Sequence, residues 1–342
     1  MNKPLVSVVM ATYNTPTEWL REAIDSILIQ TYSNLEFIII EDCSTNNSHD
    51  VLKQYSDPRI KIIRNKSNLG LTKSLNIGLD IAKGKYIARM DADDISFENR
   101  LEEQVKFMES NRDIIGCGSY RMSFGLDENI ESWKLPSSLD EQKIQLFFYN
   151  CGLTHPTAML NHELLIKHCI SYDEKYKKAQ DYRLWVECVK YAKLHVIPKV
   201  LLKYRKHANQ VSVSGKNSQD EYANLIRLEQ LKDLKIEPDE QETKIHLGLC
   251  KGNYNLSPEA GELWVNKLIL SNERYQIFNT KLFNEELNRR WYNICRTKYF
   301  DSKNIEFRDT YIRAKNMKLH FGYIKGKVKH KIVQCFGFCR NK

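Results

Sequence analysis

Three carboxylates stand within four residues at Asp91-Ala92-Asp93-Asp94, just after Gly84-Lys85-Tyr86-Ile87-Ala88, which reads as a strand entering a turn. Like charges this close repel and raise each other's pKa. A divalent cation between them supplies the missing opposite charge. An Asp-x-Asp spacing offers two oxygens to a hard ion such as Mg2+ or Mn2+ and leaves positions for water and phosphate oxygens. The same residues also suit a solvated acidic turn or a helix N-cap. The surrounding elements decide between these readings.

Those elements are legible in the periodicity. Leu5-Val6-Ser7-Val8-Val9-Met10-Ala11 is a continuous apolar run, as expected of a strand buried on both faces, and Thr12-Tyr13-Asn14 ends it. Trp19, Leu20, Ala23, Ile24, Ile27 and Leu28 then recur at helical spacing, with Thr17 as the expected N-cap. A second strand, Leu35 to Ile40, ends in Glu41-Asp42, and a third, Ile60 to Ile63, ends near Asn65. Leu71, Leu75, Leu79 and Ala82 mark a helix that Gly84 is expected to close. A fourth strand, Lys85 to Met90, delivers the acidic stretch. Strands alternating with helices imply a parallel sheet covered on both faces. Right-handed crossovers put the C-terminal strand ends on one edge, where open α/β sheets bind ligands. Thr12, Tyr13, Asn14, Asp42, Asn65, Asp91, Ala92 and Asp93 fall on that edge. Carboxylates there suit ribose hydroxyls and a cation; amides and hydroxyls suit a base.

Neither Gly-x-Gly-x-x-Gly nor Gly-x-x-x-x-Gly-Lys-Ser/Thr follows the first strand, which argues against a dinucleotide dehydrogenase and a P-loop NTPase. A diphosphate bound here needs a cation to neutralise it. Further on, Arg100 to Met108 reads as helix, and Ile114 to Phe124, Thr154 to Leu160, His195 to Pro198 and Val200 to Tyr204 as strands of mixed direction. Asp181 opens a helix lined by Leu184, Trp185, Cys188, Val189 and Ala192, and an N-cap role alone accounts for it. Past about Ser214 strand patterns stop and a helical region begins, with Leu263, Trp264, Leu268, Phe283, Leu287 and Trp291 on its apolar faces. The expected domains are 1–214, α/β; 215–316, helical; and 317–342, a basic tail.

Composition sets limits. The 42% hydrophobic content over 342 residues is that of a globular chain. No apolar run approaches the ~20 residues of a membrane span. Met1-Asn2-Lys3-Pro4 carries no signal-peptide pattern, so a cytoplasmic setting is expected. Nine scattered cysteines, an odd number without Cys-x-x-Cys, read as free thiols. The net charge is +9, but residues 317–342 hold seven Lys or Arg and no acid, leaving +2 for the body. That distribution argues against nucleic acid as a partner. In the tail, Ile324, Val328, Ile332 and Phe336 recur every four residues beside Lys325, Lys329 and Lys331, a pattern that suits an anionic membrane surface as well as it suits a solvated tail.

Residues 5 to about 210 resemble the family 2 glycosyltransferases. The matching pieces are Val8-Val9-Met10-Ala11-Thr12-Tyr13-Asn14, Glu41-Asp42-Cys43-Ser44, Asn68-Leu69-Gly70-Leu71 with Asn76-Ile77-Gly78-Leu79, and Gly84-Lys85-Tyr86-Ile87 leading to Asp91-Ala92-Asp93-Asp94. His155-Pro156-Thr157, Gln180-Asp181-Tyr182-Arg183-Leu184-Trp185, and Tyr204-Arg205-Lys206-His207 with Ser212 follow in order. The resemblance implies a GT-A fold: a doubly wound mixed sheet with a Rossmann-like nucleotide-binding half, followed here by the helical region. It implies that Thr12, Tyr13 and Asp42 line a nucleotide pocket, usually for uridine. Asn14, Asn68, Lys73 and Ala92 go with that nucleotide-sugar site. Asp91 meets ribose or metal, Asp93 ligates Mn2+ or Mg2+, and His207 lies beside metal or diphosphate. Asp181 is the implied general base, with His155, Gln180 and Trp185 on the acceptor side. Asp94 is expected to cap the next helix. Glu-Asp-Cys-Ser departs from the common Asp-Asp-Gly-Ser, and the Gln-x-x-Arg-Trp element of processive synthases is missing, since Leu287 stands where Gln belongs before Arg290-Trp291.

The implied activity is inverting transfer from a nucleotide sugar, a UDP-sugar by the resemblance, to a lipid-linked or polysaccharide acceptor at the inner face of a membrane. Two competing readings make different demands. A sugar-phosphate nucleotidyltransferase needs a Gly-rich, Arg-bearing loop after the first strand, and Thr12-Tyr13-Asn14 is not one. A non-enzymatic basic binding protein needs basic and aromatic residues interleaved on the body.

Overall fold

Parallel strands lead into the acidic stretch, as the periodicity predicts. The computed structural model describes residues 3–207, 216–252, 257–301 and 303–322. In it β1 (Val6–Thr12), α1 (Thr17–Leu28), β2 (Leu35–Glu41), α2 (Ser48–Leu52), β3 (Ile60–Arg64), α3 (Leu71–Ile81) and β4 (Tyr86–Asp91) alternate. β1 pairs in parallel with β2 and β4, and β2 with β3. β5 (Ile95–Ser96), α4 (Arg100–Ser110), β6 (Ile114–Gly125), β7 (Asn129–Glu131), α5 (Leu139–Phe148), α6 (His162–Lys167), α7 (Gln180–Cys188) and β9 (Lys193–Lys206) follow, with β8 (Met159–Asn161) preceding α6. The sheet order is β3-β2-β1-β4-β8-β6-β9-β5, with β7 beside β6. β8 is antiparallel to both β4 and β6, so the class is α/β with a mixed sheet.

Side chains alternate across the strands and divide the sheet into two faces. Val6, Val8, Met10, Phe37, Ile39, Tyr86, Ala88 and Met90 join Leu20, Ala23, Ile24, Leu101, Val105 and Met108 of α1 and α4 in one core. On the other face α3 lies so close to β1 that a Cβ on Gly78 would stand 2.4 Å from Cγ1 of Val9. Val9 is 2% exposed and β-branched, so it has little room to turn away. Gly78→Ala is therefore expected to destabilise the fold by about 1–3 kcal/mol, read as a lowered midpoint in urea at unchanged slope.

Several local expectations are corrected. Thr17 is the first helical residue of α1, and Pro16 precedes it as the cap position. α3 ends at Ile81 with Ala82 following, so Gly84 closes no helix. Gly84 instead passes against β1, donating its N–H to Ser7 Oγ at 2.8 Å, where a Cβ would stand 2.5 Å from the Ser7 nitrogen. The segment Thr154 to Leu160 is mostly a 3-10 turn, His155–Thr157, because Thr157 and Ala158 bond back to Thr154 and His155; only β8 is strand. His195 to Tyr204 forms one strand, β9, with irregular register where Pro198 interrupts the pairing to β6.

The chain divides into two compact units: Met1–Gln142 with Cys151–Tyr222, and Lys143–Asn150 with the residues from Ala223 onward. The second contains the helices Glu240–Lys251, Pro258–Tyr275, Thr280–Arg296 and Phe307–Gly322, packed around Phe147, Phe148, Trp264, Leu268, Phe283, Leu287 and Trp291. Arg290 and Trp291 lie within a helix, as read. Arg290 donates to the Leu249 and Cys250 carbonyls, capping the end of Glu240–Lys251. The expected tail falls largely on residues 323–342, outside the described residues. Among the described residues no helix is long and apolar enough to cross a membrane.

Candidate functional site

The register brings the C-terminal ends of β1, β2 and β4 to one edge, with Thr12 opposite Glu41 and Ala11 opposite Asp91. Thr12 is buried, and its carbonyl accepts from the Asp42 N–H at 2.9 Å. Asp42 is buried too. Its Oδ1 accepts from Asn65 Nδ2 at 2.7 Å and Leu69 N–H at 2.8 Å, and its Oδ2 from Gly70 N–H at 2.8 Å. Oδ2 thus retains a second lone pair for an incoming donor. Gly70 sits at φ +85°, so Asp42 and a left-handed glycine together shape the turn into α3.

Tyr13 is 47% exposed at the mouth of this edge, and Asn68 is exposed beside it in sequence to Leu69. Asn14 is exposed, and its Oδ1 accepts from the backbone of Thr45 and Asn46, so it also builds the loop after β2. Cys43, where glycine is common in the resembled motif, adopts φ +60°, so the loop keeps a glycine-like backbone without glycine. Lys73 projects from α3, half exposed, with Glu174 at 3.8 Å.

At the end of β4, one oxygen each of Asp91, Asp93 and Asp94 lies within 4.8 Å of the others. Oxygens held at 2.0–2.6 Å by one ion lie no more than about 5 Å apart, so the spread fits a single hard cation. Asp94 is another correction. It immediately precedes β5, not a helix, and α4 is preceded by Asn99. Its carboxylate is fully buried, with Oδ1 accepting from the Arg205 N–H at 2.9 Å and Oδ2 without a hydrogen-bond partner among the described residues. Burial first, then the neighbouring carboxylates, push its pKa well up. A buried carboxylate oxygen with no partner, beside two more carboxylates, is what a cation would satisfy.

Antiparallel pairing of β5 with β9 carries the chain back across the acidic turn. It sets His207 Nε2 at 3.0 Å from Asp93 Oδ2 and packs the His207 ring on Trp19 of α1, centroids 4.9 Å apart. Arg205 donates its Nε to the Asp93 carbonyl at 2.7 Å, reaches Glu22, and lies between the rings of Trp19 and Phe124. The structure thus brings Asp91, Asp93 and His207 together, with Ala92 buried between the carboxylates.

Asp181 is the second residue of α7. The cap position is Ala179, so the N-cap reading does not hold; its Oδ1 accepts from the Tyr182 N–H at 2.7 Å. Burial raises its pKa above the ordinary value, partly opposed by backbone N–H groups and Arg89. His155 is buried, with Nε2 at 2.7 Å from the Tyr172 hydroxyl, and burial holds its pKa well below the ordinary value, so the ring stays neutral. Gln180 is buried, and its Oε1 meets no hydrogen-bond partner among the described residues. Trp185 is fully buried, and a Cβ on Gly152 would stand 2.2 Å from its ring. It is core and cannot touch an acceptor.

Sequence reasoning assigned no role to Arg89, Tyr172 or Asn76. Asn76 exchanges two hydrogen bonds with the Tyr172 backbone, tying α3 to the loop before α7. Arg89 left a signal, a lone charge inside the apolar strand Tyr86-Ile87-Ala88-Arg89-Met90.

Residues 7–169 match the family profile of Glycosyl transferase family 2. An uncharacterized glycosyltransferase of Methanocaldococcus jannaschii is 43% identical over 210 residues, 60% of this chain and 72% of the relative. One from Haemophilus influenzae is 37% identical over 242 residues, 67% of this chain and 74% of the relative. Among solved structures, S. aureus TarS 1–349 in complex with UDP-GlcNAc superposes with a TM-score of 0.59 at 17% identity, covering 93% of this chain and 92% of that one. The mannosyltransferase PcManGT from Pyrobaculum calidifontis, in complex with GDP-Man and Mn2+, gives 0.51 at 14% identity, with 88% of each chain covered. At these identities the structures share the fold.

Proposed function

The chain belongs to glycosyltransferase family 2 and is a glycosyltransferase, and from that premise we propose that it is an inverting enzyme, dependent on a divalent metal, that draws on a UDP-linked sugar. The observation that carries the metal part is the carboxylate triad with the buried Asp94 Oδ2, which meets no hydrogen-bond partner among the described residues. The solved neighbours bound to UDP-GlcNAc, and to GDP-Man with Mn2+, support a nucleotide-sugar donor.

Asp91, Asp93 and Asp94, with His207 beside Asp93, would hold Mn2+ or Mg2+. The bound ion supplies Lewis-acid stabilisation of the charge that grows on the leaving diphosphate. Thr12, Tyr13 and the spare lone pair of Asp42 Oδ2 serve the nucleoside. Asp181, on a separate element, accepts the proton of the attacking acceptor hydroxyl. Its partial desolvation makes it a stronger base than an exposed carboxylate. Direct displacement from the face opposite the leaving group inverts the anomeric carbon, so an α-linked donor gives a β-linked product. In this reading residues 1–214 are the catalytic part and 215–316 a helical accessory.

Release of nucleoside diphosphate from a panel of UDP- and GDP-sugars, with Mn2+ present, tests the donor. Turnover of at least one UDP-sugar is expected; turnover confined to GDP-sugars overturns the uridine assignment. The acceptor is assigned as a lipid-linked or polysaccharide hydroxyl at an anionic membrane, supported by the basic composition of 317–342. Deleting the residues after Phe321 is expected to abolish co-sedimentation with anionic vesicles while sparing UDP binding. Unchanged sedimentation discards the membrane part.

A further inference from the structure

α3 carries an asparagine in its middle, where a helix gains little from one. Asn76 is half-buried, and its amide is committed to one residue far along the chain. Its Nδ2 donates to the Tyr172 carbonyl at 2.8 Å, and its Oδ1 accepts from the Tyr172 N–H at 3.0 Å. Tyr172 lies outside any helix or strand, yet its backbone donor and acceptor are both held, as they would be in a sheet.

The first turns of α3 are fixed to the proposed nucleoside pocket. Asp42 accepts from the Leu69 and Gly70 N–H groups that lead into the helix, each at 2.8 Å. Asn65 Nδ2 donates to both Asp42 Oδ1 and Ser74 Oγ, at 2.7 and 3.0 Å. From Tyr172, two routes lead on to the helix that carries Asp181. One is the chain itself. Asp173 closes a tight turn, its side chain accepting from the Lys175 N–H and its carbonyl from the Tyr176 N–H, both at 3.0 Å. Tyr176 and Ala179 are buried, and α7 begins at Gln180. The other route runs through side chains. The Tyr172 hydroxyl lies 2.7 Å from His155 Nε2, and the His155 ring packs edge-on to Trp185 of α7, centroids 6.2 Å apart. Trp185 is fully buried, one helical turn on from Asp181. Lys73 and Glu174 also face each other across this junction at 3.8 Å, but both are half exposed, so solvent screens the pair.

We propose that Asn76 is a positioning residue: through Tyr172 it fixes the base, Asp181, relative to a donor bound at Asp42. The inference rests on Asp181 being the base and on Asp42 serving the nucleoside. Asn76 itself takes no part in the reaction. Without its two bonds the 172–179 segment and the start of α7 are free to shift, and misplacing a reacting group by about 1 Å costs up to about 100-fold in rate. The contacts of Asp42 at the start of α3 do not depend on Asn76, so UDP binding is preserved.

The test compares wild type with Asn76→Ala, Asn76→Asp, Asp181→Asn and Met108→Ala, a core truncation on α4 that serves as the stability control. The readouts are kcat for UDP release from a UDP-sugar that the wild type turns over, the Kd of UDP in Mn2+, and amide hydrogen exchange across residues 172–179. Asn76→Ala is expected to lose about 10- to 100-fold in kcat, to bind UDP within about twofold of wild type, and to exchange the Tyr172 amide at least about tenfold faster. Asn76→Asp turns a carboxylate oxygen toward the Tyr172 carbonyl, so the same loss of kcat is expected, and it carries the test if the alanine variant does not fold. Met108→Ala is expected to melt at a lower temperature with kcat and loop exchange unchanged. A folded Asn76 variant with wild-type kcat overturns the proposal. So does a loss of kcat with unchanged exchange, or one matched by an equal weakening of UDP. If Asp181→Asn keeps full turnover, the base reading has failed and this inference with it; if Asp181→Asn loses turnover while Asn76→Ala keeps it, only the role of Asn76 has failed.

Discussion

Asp181→Asn is expected to bind UDP and Mn2+ as tightly as wild type and to lose about 10²- to 10⁴-fold in kcat, the range associated with removing a positioned general base. Asparagine keeps the shape and can still accept from the Tyr182 N–H through its carbonyl oxygen, so α7 should be undisturbed. What it cannot do is take a proton. Because burial raises the Asp181 carboxyl above the ordinary 3.8, and the base acts only when deprotonated, wild-type kcat/KM should fall as pH drops through that raised pKa. The acid limb therefore lies at higher pH than for an exposed aspartate. Steady-state kinetics with a turned-over donor check both points. Full activity in Asp181→Asn contradicts the assignment.

Asp93→Ala is expected to remove metal-assisted donor binding, weakening UDP by at least about tenfold in Mn2+ while leaving metal-free binding unchanged. Asp93 gives one of the three clustered oxygens, and its Oδ2 lies 3.0 Å from His207 Nε2. Its side chain is 28% exposed, so its loss opens no core cavity and the melting temperature should hardly change. Metal titration followed by manganese resonance, with UDP present, measures the loss directly. Wild-type Mn2+ affinity in this variant would place the ion elsewhere.

The parallel half of the sheet could be read because β1, β2 and β4 are buried on both faces and so leave unbroken apolar runs. The edge that carries the site followed from crossover handedness alone. What escaped was set by contacts distant in sequence. Asp94 looks like a cap until the β5–β9 pairing brings the Arg205 amide onto its carboxylate, 111 residues away. Asn14 gives no sign in sequence that its Oδ1 also holds the backbone of Thr45 and Asn46, in the loop after β2. Trp185 shares a motif with Asp181, yet helical spacing turns it inward to the core beside Gly152. Arg89 could have been flagged from its place as the lone charge in an apolar strand, where it pairs with Asp91 two residues on.

Calorimetric titration of the wild-type chain with UDP, in Mn2+ and in chelator, tests the central claim most directly. The account predicts UDP binding at least tenfold tighter with Mn2+, an enhancement kept by Asp181→Asn and lost in Asp93→Ala. Equal UDP affinity with and without the metal would contradict it.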